Sequence, residues 1–245
     1  MRIVTWNCCR GPTSTKLPLL APLEPTLSVV QECPRPRSKP TSTLWFGDNP
    51  RQGIAVTASR GYHISPLECR AVPRYTVPIQ VTGPVTFLLL AVWSQQDPHF
   101  RYVKGIIRAV DCYRDLIVAQ PTVIVGDFNS NTIWDHKRPN GQNHSGLVRN
   151  LAALGLVSAY HHFYGEAHGR ESRPTLYLLW KQARPYHIDY CFIPEAWAPF
   201  LRSVEVGTYE EWSKVSDHRP LVVDLALPGV GEQKVALDAH ADARQ

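Results

Sequence analysis

Apolar residues in this chain gather into short runs broken by Gly, Pro, Asn and Asp, the pattern of a strand-rich protein. Runs at 2–6 (RIVTW), 27–31 (LSVVQ), 43–47, 53–58, 62–67, 75–82 and 85–93 read as strands, the middle ones as successive antiparallel neighbours. Further strands are predicted at 123–125 (VIV), 175–180, 187–193 (HIDYCFI), 202–207 and 220–227 (PLVVDLAL). The run at 123–125 does not alternate with polar residues, so its strand is predicted to be buried on both faces. Helical spacing is clearest over 101–118, where Val103, Ile106, Ile107, Val110, Tyr113, Leu116 and Ile117 recur at three- and four-residue intervals. A second helix is predicted over 145–154, opened by Ser145 and closed by Gly155. Between 13 and 27 a leucine stripe is interrupted by Pro18, Pro22 and Pro25, which predicts a short, broken helix. Residues 35–40 (RPRSKP) and 161–174 read as loops, and the apolar pattern fades over 229–245, a loose tail. Strands with helices at intervals and no linker predict one layered α/β domain over 1–228.

Composition narrows this only slightly. A 245-residue chain with 44% hydrophobic and 19% charged residues is an ordinary globular composition, and a net charge of +5 is compatible with a polyanionic partner. The six cysteines contain no C-x-x-C pair and sit in or beside apolar runs, so they read as reduced thiols acting as small hydrophobes. No apolar run reaches the length of a membrane span, and Met1 leads directly into a strand. The expectation is a cytoplasmic protein with no membrane association and no obligate protein partner.

Chemistry-bearing residues recur at strand ends. Asn7 closes the first strand and Glu32 the second; Asp127 and Asn129 follow Gly126 at the end of the central one. A carboxylate and a carboxamide two residues apart at such a turn can face the same way. Asp189 interrupts an apolar strand, where an unpaired carboxylate is costly, and Asp217-His218 immediately precede the last strand. An Asp189–His218 pair would fix the imidazole tautomer and raise its proton affinity.

In this order, TWN, QE, GDFN, IDY and SDHRPL resemble the motifs of the endonuclease/exonuclease/phosphatase superfamily, over roughly residues 1–228. The resemblance implies a four-layer α/β/β/α sandwich of two mainly antiparallel sheets, DNase I-like, with a divalent cation and hydrolysis of a phosphate ester. By motif, it implies Glu32 as principal metal ligand with Asn7 and Asp217 beside it. Asp127 would activate water, Asn129 would bind the scissile phosphate, and Asp189–His218 would contact the phosphate as charge develops. Mg²⁺, with Mn²⁺ as substitute, suits such oxygen ligands.

Trp93 stands where deoxyribonuclease I-like members of that superfamily carry a histidine. Tyr102, with His99 and Arg101 as rivals, best matches the tyrosine of the exonuclease III side. Arg35, Arg37 and Lys39, then Lys137 and Arg138, then Arg170, Arg173, Lys181 and Arg184 follow or precede the site motifs. With Trp134, Tyr177, Trp180 and Tyr186 nearby, they would suit a nucleic-acid backbone and unstacked bases. Arg35, Arg173, Trp180 and Tyr186 are the candidate substrate-binding residues. The expected function is a Mg²⁺-dependent nuclease acting on DNA. A phosphatase or lipid phosphodiesterase of the same superfamily, and a non-catalytic binding protein on this fold, are the alternatives. His161, His162, His168 and His187 match no standard zinc spacing, so no second metal site is expected.

Overall fold

The computed structural model describes residues 1–37, 42–68, 75–96, 101–137, 139 and 141–228. Its first sheet contains β1 (Arg2–Asn7), β2 (Leu27–Cys33), β3 (Thr43–Asn49) and β4 (Gln52–Ala58). The second takes β5 (His63–Pro66), β6 (Thr76–Thr82), β7 (Phe87–Trp93), β8 (Thr122–Asp127) and β9 (Leu156–Ser158). A two-stranded ribbon, β10 (Leu176–Tyr177) and β11 (Pro185–Tyr186), leads to β12 (Asp189–Pro194) in the second sheet. The chain then returns to the first sheet through β13 (Leu201–Val206) and β14 (Leu221–Leu225). The strand orders are β13-β14-β1-β2-β4-β3 and β5-β6-β7-β8-β12-β9. Antiparallel pairing prevails, with one parallel pair in each sheet, β1–β2 and β7–β8.

The helices are α1 (Thr13–Lys16), α2 (Val103–Cys112), α3 (Arg114–Ala119), α4 (His144–Ala153), α5 (Ala159–Tyr164) and α6 (Tyr209–Trp212). Side-chain alternation divides the strands between cores. Phe87, Leu89, Ala91, Trp93, Val123 and Val125 face Ile3, Leu27, Val29, Ile54 and Val56 across the sheets. Leu88, Leu90, Val92 and Ile124 face Val103, Ile106, Val110, Leu147 and Leu151 of α2 and α4. On the outer side of the first sheet, Val4, Trp6 and Val30 pack on Leu20 and Trp212. The unbroken apolar runs are thus strands buried on both faces. The result is the expected α/β sandwich, thick over the second sheet and thinner over the first.

The structure corrects several predicted elements. The helix over 101–118 is two, because Tyr113 leaves helical geometry (φ −97°, ψ 8°) between α2 and α3. Asn143, not Ser145, caps α4, its side chain accepting from the Gly146 N–H. Asp135 takes the N–H groups of His144 and Ser145. The strand at 62–67 does not continue the preceding hairpin: β5 pairs with β6, so the chain changes sheets after Ala58. The run at 175–180 is strand only at Leu176–Tyr177 and then a 3-10 turn over Leu178–Trp180, and α5 occupies the start of the segment read as loop. The broken helix divides into α1 and a 3-10 segment, Leu17–Leu23, with Pro22 inside it. Lys39, Cys69, His99, Arg138 and the tail over 229–245 lie outside the described residues. Among the described residues, no helix is long and apolar enough to cross a membrane.

Candidate active site

The two parallel pairs determine where the polar residues meet. β1 ends at Asn7, paired with Gln31 next to Glu32 near the end of β2, and β7 and β8 end together at Trp93 and Asp127, which are register partners. Asp189 begins β12 opposite Asp127, and His218 lies just before β14, the antiparallel neighbour of β1. All of these positions fall at one end of the sandwich.

Asp127 is the centre. It is fully buried, and its Oδ2 accepts from Asn7 Nδ2 at 3.0 Å, a bond between the two sheets. Asn129 braces it twice, by its backbone N–H to Oδ1 at 2.9 Å and by Nδ2 to Oδ2 at 3.1 Å. The Asn129 amide also donates to the Ser94 carbonyl at 2.9 Å. Burial, and then the charge of Asp189, push the Asp127 carboxyl up to about 7 despite these donors and the opposing charge of His218. Gly126 makes the approach possible. It has φ +146°, and a Cβ there would lie 1.9 Å from the Val92 carbonyl oxygen and 3.0 Å from Gln31 Nε2.

Asp189 and His218 form the predicted pair, with Oδ2 2.9 Å from Nδ1 and both residues buried. Burial alone would depress the imidazole. The charge and hydrogen bond of Asp189, with Asp127 and Asp217 behind them, outweigh it and push His218 up to about 10. Three residues that sequence reasoning did not single out position this pair. Thr175 Oγ1 accepts the N–H groups of Ile188 and Asp189, both at 3.0 Å, and its carbonyl accepts from the Arg219 N–H at 2.7 Å. The Ser216 hydroxyl donates to the Asn7 carbonyl at 2.8 Å and accepts the His218 N–H at 3.0 Å. Arg219, fully buried, sits over the Tyr177 and Tyr209 rings at 4.8 and 5.1 Å and donates to the carbonyls of Ser216 and His218. Ser216 and Arg219 flank Asp217-His218 in the sequence, and that adjacency was the available signal; Thr175 offered none.

Glu32 sits at a register shift between Val30 and Cys33 and has φ +53°, so a bulge turns its side chain out of the sheet. Its Oε1 is 3.3 Å from Asn7 Nδ2, and its Oε2 is 3.5 Å from Arg10 Nε, a largely exposed partner. Asp217 belongs to the same neighbourhood: burial, then Asp217 and Glu32, push the neighbouring Cys9 thiol up to about 12. Asp189 Oδ1 is buried without a hydrogen-bond partner. Several carboxylates with few cations, one orphan acceptor and oxygen donors throughout form a set that fits a hard divalent cation. Asp127, Asp189 and His218 also place one ligating atom each within 4.8 Å of one another.

The periphery is mixed. Tyr102 is half-buried at the start of α2 with φ +51°, its N–H bonded to the Gln95 carbonyl two residues beyond Trp93. Trp93 packs on Tyr75, with centroids 5.0 Å apart. Arg35 lies over the Trp45 ring at 4.8 Å and, with Pro12, Leu17 and Arg37, lines a cleft of about 660 Å³. Tyr186 packs on Trp134, and Trp180 is exposed beside exposed Leu179. Arg173 is engaged locally, 3.6 Å from Glu166 and 3.9 Å over the Tyr164 ring.

No family model matches the sequence, and no curated protein matches it. Solved structures do. A 3'-5' exonuclease (NExo) from Neisseria meningitidis superposes with a TM-score of 0.69 at 20% identity, covering 93% of this chain and 100% of that one. The two chains share one fold. An AP endonuclease from Archaeoglobus fulgidus matches at 0.67 and 15% identity, over 93% of this chain and 100% of its own. The endonuclease domain of TRAS1, a telomere-specific non-LTR retrotransposon, matches at 0.63 and 16%, over 92% and 98%. A further structure is described as a 3' phosphatase NExo from Neisseria bound to a product DNA hairpin.

Proposed function

We propose that this chain is a Mg²⁺-dependent phosphodiesterase and, within that class, a nuclease acting on DNA in the cytoplasm. The observation that carries the reading is the buried meeting of Asn7, Asp127, Asn129, Asp189 and His218 across two sheets, beside Glu32. Glu32 and Asn7, with Asp217 near them, would hold the cation, which when bound neutralises charge on the phosphate. Asp127 is the general base: a carboxyl pushed up to about 7 takes a proton from water near neutral pH far better than an ordinary aspartate. Protonated His218, held by Asp189, places a cation against the phosphate as charge builds on its oxygens. Asn129 orients Asp127, and donating to the phosphate requires its amide to leave the Ser94 carbonyl or Asp127. Tyr102 is the candidate group beside the leaving oxygen. Arg35, Trp180 and Tyr186 are the candidate contacts to the polymer. Arg173 reaches it only by giving up Glu166.

The second reading, phosphate-monoester removal from DNA ends, is favoured by one neighbour being described as a 3' phosphatase on a DNA hairpin. A cleavage panel tests both. Plasmid DNA, abasic duplex, 3'-phosphorylated DNA, single-stranded RNA and an inositol polyphosphate are assayed in Mg²⁺ and in EDTA, with wild type and Asp127→Asn. Metal-dependent DNA cutting lost in the variant supports the nuclease. Turnover of only the phosphomonoester moves the protein to the second reading. No metal-dependent turnover of any substrate overturns both.

A further inference from the structure

Five side chains far apart in sequence form a second polar cluster outside the catalytic constellation. His161 comes from α5, His168 and Glu171 from the segment before β10, His187 from the approach to β12, and His144 from the start of α4. His161 Nε2 lies 3.1 Å from Glu171 Oε1, and one ligating atom each of His161, His168 and Glu171 falls within 4.8 Å of the other two. The His161 and His168 rings are stacked, with centroids 3.5 Å apart. His144 and His187 close the cluster from two sides, 5.4 Å from His168 and 6.0 Å from His161 by ring centroid.

The hydrogen bonds around this cluster are one-sided. His161 Nδ1 is tied to Ser158 Oγ at 2.8 Å, His187 Nδ1 to the Arg173 carbonyl at 2.8 Å, and His144 Nδ1 to Ser130 Oγ at 3.2 Å. Each outer bond fixes a ring and leaves the other nitrogen to the interior, the arrangement that orients metal-ligating imidazoles. The remaining nitrogens are short of partners. His144 Nε2, His168 Nδ1 and His187 Nε2 are all buried with no hydrogen bond, and His144 and His187 are themselves 1% and 3% exposed. Glu171 is oriented as well, its Oε1 accepting from the Gly169 N–H at 2.9 Å and from Asn131 Nδ2 at 3.1 Å. Buried polar atoms left this way are exceptional, and several in one spot call for a common ligand.

We propose that His161, His168 and Glu171 bind a transition-metal ion of the zinc type, with His187 or a water in the fourth position. Two imidazoles and one carboxylate are a ligand set suited to Zn²⁺. Ligand atoms on a tetrahedral zinc stand about 3.3 Å apart at ordinary bond lengths, so the His161–Glu171 separation already fits and His168 needs a small shift. The spacing is H-x6-H-x2-E, which no standard zinc pattern contains; the site is assembled by tertiary structure. Its place in the fold gives it a role. The segment it secures runs on into Thr175, which holds the Asp189 and Arg219 N–H groups, and Asn131 links Glu171 to the His187 carbonyl. The ion therefore staples the loop that supports the Asp189–His218 pair and stays apart from the phosphate.

The test is metal content and spectroscopy on the full chain. After exposure to Zn²⁺ and exhaustive dialysis, wild type is expected to keep one equivalent that a strong chelator removes. Co²⁺ loaded in its place should give the intense visible bands of a tetrahedral site, and X-ray absorption should show imidazole nitrogen in the first shell. A thousandfold excess of Zn²⁺ over its Kd should raise the melting temperature by roughly 10 °C. His168→Gln and Glu171→Gln should each lose the retained ion and the Co²⁺ bands, while Glu32→Gln keeps both. X-ray absorption on wild type does not depend on any variant folding. Failure of wild type to retain zinc, or Co²⁺ bands that persist in His168→Gln and vanish in Glu32→Gln, would overturn the proposal.

Discussion

Replacing Asp189 by Asn keeps the shape of the buried pair and removes the charge that holds His218 protonated. Burial works against the imidazolium, yet its pKa stands at about 10 against an ordinary 6.5, because the nearby carboxylates outweigh desolvation. A raised histidine pKa means the folded state holds a proton that the unfolded chain has released. Its contribution is complete below pH 6.5 and is lost as pH rises through about 10. Between pH 7 and 9 the difference is close to one proton, and stability falls by about 1.4 kcal/mol per pH unit. Wild type should therefore lose about 3 kcal/mol across that window.

The pair dominates the window. Asp127, raised to about 7, gives up most of its own contribution between pH 3.8 and 7 and only about 0.4 kcal/mol above pH 7, and the raised thiols of Cys9 and Cys191 act above pH 9. The Met1 amino group, whose pKa burial lowers, is common to both proteins and cancels in the difference. The assay is urea unfolding at half-unit pH steps in EDTA, so that no bound cation contributes. Asp189→Asn should be the less stable protein at pH 7, by on the order of 3 kcal/mol, the scale for breaking a buried pair. Its stability should change by less than about 1 kcal/mol between pH 7 and 9. Parallel wild-type and variant curves over those two units would refute the argument that Asp189 keeps His218 charged.

Gly126→Ala sets a methyl group 1.9 Å from the Val92 carbonyl oxygen at a backbone conformation that alanine resists. A loss on the order of 3 kcal/mol is expected, read as a lower urea midpoint, together with loss of activity as Asp127 is displaced. An unchanged midpoint would mean that β8 can slide away from β7. Glu32→Gln removes a carboxylate held only by a long bond from Asn7 and by the largely exposed Arg10. Its Mg²⁺ affinity should fall at least tenfold by calorimetry, equivalent to about 1.4 kcal/mol or more, with the urea midpoint unmoved. Undiminished Mg²⁺ binding would show that the cation sits elsewhere.

The positions of Asn7, Glu32, Asp127, Asp189 and His218 were legible because each interrupts, ends or leads into a run of apolar strand residues. Polar residues at such points have few alternatives to being satisfied by one another. Sheet membership was not legible. β5, β3 and β4 all read simply as short strand-like runs, and such a run carries no information about which sheet a strand joins. Nor was the cap of α4, since Asn143 and Ser145 are both good cap residues and the choice rests on Asp135, eight residues before Asn143, occupying the other N–H groups. Thr175, which supports Asp189, and the histidines around Glu171 were hidden for a related reason. Their partners come from α4, α5, a loop and the approach to β12, so only the assembled fold brings them together.

Backbone strain is present where these hydrogen bonds converge. Cys9, Arg10, Glu32, Tyr102 and Asn129 all have φ between +46° and +62°, and every one lies just past, or at the last residues of, a strand or at the start of α2. Each non-glycine residue in this region costs about 1–2 kcal/mol relative to an extended or right-handed conformation. Glu32 keeps its conformation because Cys33, next to it, remains registered with Gly53 and the Cys33 carbonyl accepts from Trp45 Nε1 at 2.9 Å. Asn129 keeps its own because its amide spans Asp127, the last residue of β8, and Ser94, the residue after β7. Both constraints are hydrogen bonds and strand register within the sandwich, so the fold itself sets the geometry of the proposed site. The bond from Asn7 to Asp127 and the Asp189–His218 pair are then the vulnerable points, since they are the directional links between the ends of two sheets otherwise joined by apolar packing.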